Sequence, residues 1–163
     1  MALPQPATTR PTVRVSRGQA MAEFALILPL LLGIVGGGID FARVFQGAMT
    51  LQTAARNAAE SAAYSATTPA QAQSQAREVV CTESQDLPGF VPGPGGVVAT
   101  CTSPSVTVTW TSSIAPPGNI KYPLVTATVT TALDFELLVP WPMLPNGAWT
   151  LGTTQSFSIM QGR

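Results

Sequence analysis

The sequence contains no histidine and few charged residues of any kind. Only 10% of the 163 residues are charged, and eight acidic residues balance eight basic ones. Without histidine, the chain lacks the commonest general base and the commonest zinc ligand, which argues against most hydrolase and metal-site functions. With no net charge, it has no basic field to neutralise phosphates, so we expect no nucleic-acid partner. The composition therefore favours a non-enzymatic protein that holds no metal and no cofactor.

Cysteine is also scarce, and both copies lie in the C-terminal part of the chain, at Cys81 and Cys101. A lone pair of cysteines in an exported domain usually forms a disulfide, which implies an oxidising compartment. Closing a loop of about 20 residues would stabilise the fold by roughly 3 kcal/mol on the chain-entropy model. Two free buried thiols are the alternative.

Apolar residues are abundant, since 45% of the chain is hydrophobic and the mean hydropathy is +0.27. Residues 1–18 hold three arginines and no acid, and then Phe24 to Ile39 contains no charge. A helix counted from Gln19 would rise about 30 Å over this stretch, which matches the hydrocarbon thickness of a bilayer. We predict a span over about residues 20–39, with the basic leader kept in the cytoplasm and the chain beyond the span exported.

A secretory signal peptide is the competing interpretation of this N-terminal pattern, because it also combines a basic region with an apolar one. Two features oppose it. Glu23 stands at the start of the apolar run, and no small-residue cleavage site closes the run before Asp40. Pro29 is tolerated in a membrane helix and predicts a kink, not a break.

The next segment predicts that the helix continues to about residue 66, because it is rich in alanine and free of proline. Its apolar residues recur at steps of three and four, so this half of the helix is amphipathic and needs a partner surface. The partner is either the C-terminal domain of the same chain or neighbouring helices in an assembly. The predicted apolar stripe comprises Phe41, Val44, Phe45, Ala48, Leu51 and Ala55.

A glycine directly follows the basic leader, and a glutamate stands five residues after that glycine, at Gly18 and Glu23. The pattern resembles a prepilin processing site. The wider run RGQAMAEFALILPLLLGIVGGGIDFARVF, followed by LQTAARNAAESAA, resembles the TadE-like family of pseudopilins from the tight-adherence (Tad) pilus system. TadG-like members share the same block of motifs.

The resemblance implies that a prepilin peptidase of the bacterial cytoplasmic membrane cleaves after Gly18 and makes Gln19 the new N-terminus. It also implies that Glu23 is the carboxylate used in assembly, with other pilin or pseudopilin subunits as partners. The expected function is that of a minor pilin in pilus biogenesis and surface adherence. An unprocessed single-span membrane protein with an extracytoplasmic binding or adhesive module is the alternative.

Two features of the span have both a functional and a simpler interpretation. A carboxylate in the apolar phase costs several kcal/mol unless it is paired, so Glu23 would pair with the amine of a neighbouring Gln19, or else extend to the cytoplasmic headgroups. Gly33 and Gly37 form a small-xxx-small pair that would let another helix approach closely. Alternatively, the glycines merely loosen the helix.

The remaining residues, 67–163, predict a small exported domain of pilin-like α+β class. Thr68 and Pro69 predict the start of a short helix, and alternating valines and threonines predict strands with one buried face. The predicted elements are a helix over about 69–82 and three strands over about 105–112, 122–139 and 153–160. We expect an antiparallel sheet packed against the long helix. The intervening loop, about 139–149, would be either an exposed adhesive tip or part of the core.

Overall fold

The structure is a computed structural model that describes residues 17–113, 124–139 and 148–160. It confirms the α+β class, with a long apolar N-terminal helix followed by three antiparallel strands in the order β1-β2-β3. Contacts divide the chain into two compact units, one ending at Gly36 and the other beginning at Gly37. The elements are helices α1 (Arg17–Ser65) and α2 (Pro69–Glu83), and strands β1 (Ser105–Ser113), β2 (Leu124–Glu136) and β3 (Ala148–Met160).

Helix α1 runs through Pro29 without a break, which agrees with the high alanine content that follows and with a proline placed in an apolar segment. Helix α2 starts where the sequence signals predict it to start. The Thr68 side chain accepts a hydrogen bond from the Gln71 backbone N–H at 3.3 Å, and Pro69 occupies the first turn, where its missing N–H costs nothing.

The sheet buries one face and exposes the other, as the alternating sequence predicts. Along β2, odd-numbered residues such as Val125, Val129 and Phe135 are buried. Even-numbered residues form a hydroxyl ladder with β3, in which the side-chain oxygens of Thr128 and Ser156 lie 2.9 Å apart. The buried face carries the core, and the outer face is a polar strand surface.

The strand bounds differ from the prediction at two places. Strand β3 begins at Ala148, five residues before the predicted start, because it pairs with β2 up to Ala148 opposite Glu136. Strand β2 ends at Glu136, three residues before the predicted end, and the backbone N–H groups of Leu138 and Val139 donate to the Asp40 side chain of α1 instead of to a strand. The first two residues of the predicted second strand and most of the 139–149 loop lie outside the described residues.

Within the second unit, the sheet and α2 pack on the alanine-rich side of α1. The predicted apolar stripe is partly wrong, because Phe41 and Phe45 are 71% and 60% exposed. The other four members of the stripe do face the core, since Leu51 and Ala55 are buried, Val44 packs against the core and Ala48 is half-buried. The contact line consists mostly of small residues that let the sheet approach closely, and a Cβ added at Gly47 would lie 2.9 Å from the Phe135 ring. Besides Asp40 and Gly47, the buried α1 residues are Leu51, Ala54, Ala55, Ala58, Ala59, Ala62 and Ala63.

The segment between α2 and β1 is fixed by covalent and hydrogen bonds. A disulfide with an S–S distance of 1.97 Å joins Cys81 to Cys101, and both residues are fully buried. Arg77 Nη2 donates to the Cys101 carbonyl oxygen at 2.7 Å. Gly89 adopts φ +91° beside the Asp134 carbonyl oxygen, where a Cβ would collide with the backbone. The loop is therefore held against the end of α2 and against β2.

Candidate membrane and assembly segment

The first half of α1 exposes a continuous apolar surface. Every residue from 18 to 35 is exposed, including Met21 at 78%, Leu26 at 80% and Ile34 at 64%. Exposed apolar area of this extent is unusual for a soluble protein and marks an interaction or membrane surface. By length and composition, α1 is the one helix of the described residues that could cross a membrane.

The three residues of the predicted processing and assembly site lie at the start of α1. Gly18 is open, since a Cβ added there would meet no atom within 4 Å. Gln19 and Glu23 stand one turn apart, and Gln19 Nε2 donates to Glu23 Oε1 at 3.3 Å. Glu23 is exposed, and no cation among the described residues forms an ion pair with it. Its partner within the chain is thus a neutral amide at a long distance.

The two glycines of the predicted packing motif lie further along α1. Gly33 is exposed, with nothing within 4 Å of an added Cβ, and Gly37 is half-buried. At Gly33 the helix therefore presents bare backbone that another helix could approach. Close packing at this pair remains a prediction.

Asp40 has a structural role that the sequence did not predict. The residue is only 3% exposed, although it follows the apolar run directly. Oδ1 accepts from the Leu138 backbone N–H at 2.9 Å, and Oδ2 accepts from the Val139 backbone N–H at 3.0 Å. Arg43 Nη1 approaches Oδ1 at 3.4 Å. The carboxylate therefore anchors the chain leaving β2 to α1.

Arg43 and Phe135 extend this anchor along the helix. The Arg43 guanidinium lies 5.4 Å from the centroid of the Phe135 ring, within the range of a cation–π interaction. The same ring packs against Gly47 one turn later, next to Leu151 of β3. No sequence signal predicted these contacts, because the partners are about 90 residues apart in the chain.

An open groove of about 670 Å³ lies between α1 and the outer edge of β3. Its polar lining includes Arg56, Asn57 and Glu60 from the helix and Gln155 and Ser156 from the strand. These side chains provide one acid and one guanidinium but no histidine or thiol to act as nucleophile or base. The groove shows no arrangement typical of an enzyme active site.

Comparison with known proteins identifies one family. The family model described as TadE-like protein matches residues 18–60, which confirms over that segment the resemblance seen in the sequence. The match contains Gly18, Glu23 and Asp40, and it ends on the part of α1 that carries the sheet. No curated protein and no solved structure gives a significant match to the chain.

Proposed function

We propose, on the premise that residues 18–60 form a TadE-like segment of a Tad pilus-associated protein, that this chain is a minor pilin or pseudopilin. In this proposal α1 anchors the subunit in the bacterial cytoplasmic membrane and a prepilin peptidase removes residues 1–18. The second unit is exported, and the subunit contributes to pilus assembly and surface adherence. The family match to the helix that bears Gly18 and Glu23 carries the proposal.

The surroundings of Glu23 support an assembly role. Its only hydrogen-bond partner among the described residues is the Gln19 amide at 3.3 Å. A neutral amide compensates an ionised carboxylate poorly once both enter the apolar phase. Cleavage after Gly18 would create a positive α-amino group at residue 19. In an assembly that amine could pair with Glu23 of a neighbouring subunit and set the axial register.

The described exported unit supports a role as a structural subunit. The sheet is fixed to the same helix that would cross the membrane, through the Asp40 carboxylate and the Phe135 ring. Within the second unit, the sheet is therefore attached to the part of α1 that directly follows the apolar run.

Cleavage is tested by intact mass and N-terminal sequencing of the protein purified from its native host. We expect the mature chain to begin at Gln19. An N-terminus at Met1 or Ala2 in protein recovered from the membrane would contradict processing, and would favour the unprocessed single-span alternative.

The role of Glu23 is tested by Glu23→Gln, with Glu60→Gln as the matched control. Both glutamates are exposed on α1, but Glu60 lies in the groove beside β3. We expect Glu23→Gln to insert into the membrane normally but to disappear from sheared pili. Glu60→Gln should behave as wild type. Equal recovery of both variants in the pilus fraction would contradict the assembly role.

A further inference from the structure

Four large apolar side chains are exposed at one end of the second unit. Phe41 and Phe45 lie on α1 and are 71% and 60% exposed, while Leu138 and Trp149 are 63% and 53% exposed. Leu138 follows β2, and Trp149 belongs to β3. We call these four residues the collar.

Direct contacts bring the members of the collar to the same end. The Leu138 backbone N–H donates to Asp40, the residue before Phe41. Trp149 is the partner of Phe135 in the sheet register, and the Phe135 ring packs against Arg43 and Gly47 of α1. The collar thus lies at and beside the segment of α1 that directly follows the apolar run.

The depth of the collar in the bilayer follows from its distance from the apolar run. At 1.5 Å per residue, Phe41 and Phe45 lie about 3 and 9 Å beyond Ile39. The polar layer of one bilayer leaflet is roughly 5–7 Å thick. Side chains on a helix also tilt toward its N-terminus, so both phenylalanine rings point back toward the run. Phe41 therefore falls within the headgroup layer, and Phe45, whose ring reaches back toward the run, falls at its outer boundary.

Residue type agrees with this depth. Tryptophan and other aromatic side chains concentrate where membrane meets water. Nearby charge does not oppose it, because Asp40 and Arg43 are bonded to each other. Exposed Glu136 belongs to the other face of β2, two residues from Leu138. Exposed apolar residues also occur elsewhere, such as Leu124 opposite Met160, but these lie at the far end of the sheet.

We propose that the collar is a lipid-docking surface, which places the exported unit on the headgroup layer of the membrane that α1 crosses. This inference rests on the proposed membrane span. Docking would hold the unit in a fixed orientation at the membrane before any assembly. It would also keep four large apolar side chains out of water while the subunit is a membrane protein.

The experiment uses variants of the full chain that each contain one tryptophan, reconstituted in phosphatidylcholine vesicles. The fluorescence of that tryptophan reports its depth in the bilayer. Trp110→Phe and Trp141→Phe leave Trp149 as the only reporter. Trp110→Phe is expected to be mild, because the indole Nε1 is buried without a hydrogen-bond partner among the described residues. Vesicles carry a nitroxide quencher either on the headgroup or in the middle of the acyl chain.

Two control reporters carry Trp149→Phe in addition to Trp110→Phe and Trp141→Phe, so that each contains only one newly introduced tryptophan. Leu31→Trp, in the apolar run, reports the span, and Met160→Trp reports the far end of β3. Met160 is eleven residues beyond Trp149 on the same strand, or about 37 Å at 3.4 Å per residue. We expect the headgroup quencher to remove about half of the Trp149 emission. The headgroup quencher should not lower the emission of Met160→Trp. The mid-chain quencher should lower the emission of Leu31→Trp.

Each other result contradicts the inference in an identifiable way. If Leu31→Trp is quenched but Trp149 is not, the collar does not dock on lipid, while the membrane span stands. If Leu31→Trp is not quenched either, the span itself fails. Equal quenching of Trp149 and Met160→Trp would indicate unspecific adsorption. Trp149 shielded from aqueous acrylamide but not quenched by lipid would show that a second copy covers the collar.

Discussion

Replacing Asp40 removes the side chain that accepts from the Leu138 and Val139 backbone N–H groups at the exit of β2. The carboxylate is 3% exposed and accepts from Leu138 and Val139 at 2.9 and 3.0 Å. A hydrogen bond to a charged group contributes about 1.5–3 kcal/mol, and water can reach part of this region because the Leu138 side chain is exposed. We therefore expect Asp40→Ala to lower the free energy of unfolding by about 3 kcal/mol.

The measurement is urea and thermal unfolding of the full chain in detergent, followed by tryptophan fluorescence. For a unit of this size, about 3 kcal/mol corresponds to a fall in Tm of roughly 10 °C. Asp40→Asn keeps one acceptor oxygen and should lose about half as much stability.

Asp134→Asn is the control, because Asp134 is an exposed aspartate on β2 whose Oδ1 accepts from Thr150 Oγ1 at 2.7 Å. An exposed contact of this kind contributes at most about 1 kcal/mol. If Asp40→Asn and Asp134→Asn unfold at the same urea concentration, the carboxylate does not anchor the exit of β2, and the argument for rigid attachment is refuted.

Three further predictions concern the second unit. Gly89→Ala should destabilise it by about 3 kcal/mol, and Gly95→Ala by about 1 kcal/mol. Both glycines have positive φ, but only Gly89 faces the Asp134 backbone. Thermal unfolding of the two variants measures the difference. Reduction of the Cys81–Cys101 disulfide, whose sequence separation is 20, should lower the free energy of unfolding by roughly 3 kcal/mol. Before reduction, mass analysis of the alkylated protein should find no free thiol. Gln73→Leu should lower the free energy of unfolding by about 1–2 kcal/mol. Hydrogen exchange should accelerate at the Val108 amide, because Gln73 Oε1 accepts from it at 3.0 Å. Gln71→Leu is not a suitable control, because the Gln71 side chain accepts from Thr67 beside the N-cap of α2.

Local patterns in the sequence predicted the elements well because the physics that forms them is local. Alternation of valine and threonine is sufficient for β1, and a Thr68–Pro69 pair is sufficient to start α2. The start of β3 was missed although Trp149, Thr150 and Leu151 alternate, because Gly152 and the proline-rich loop before them interrupt the pattern. Tertiary pairing decided where that strand begins.

The amphipathic half of α1 shows a limit of periodicity. Apolar residues lie on two adjacent sides of the helix, and periodicity alone merges them into a single stripe. The structure separates a line of leucine and alanine that carries the sheet from the phenylalanines that remain exposed. Small residues mark the line because the sheet must come close, and a Cβ at Gly47 would already touch Phe135. Residue size would have been a better guide than hydrophobicity.

Gln73 is a second feature that sequence could not reveal, and it affects whether the edge of β1 can pair with another strand. Its amide donates to the Val106 carbonyl oxygen at 2.9 Å and accepts from the Val108 N–H at 3.0 Å, so it occupies the edge of β1 as a neighbouring strand would. Unprotected edge strands invite pairing with other chains. This edge is closed by a side chain from α2, a residue that reads as an ordinary helix-surface glutamine.

The two carboxylates that bracket the apolar run have different surroundings, and the difference bears on which of them can act between subunits. Asp40, at the C-terminal end, is buried and bonded to Leu138 and Val139 within its own chain. Glu23, at the N-terminal end, is exposed and contacts only a neutral amide among the described residues. A buried carboxylate with such partners gains little from a neighbouring subunit, whereas an ionised carboxylate without a cation gains much in an apolar phase. The prediction for Glu23→Gln therefore concerns assembly with the fold intact, and the prediction for Asp40→Asn concerns the fold itself.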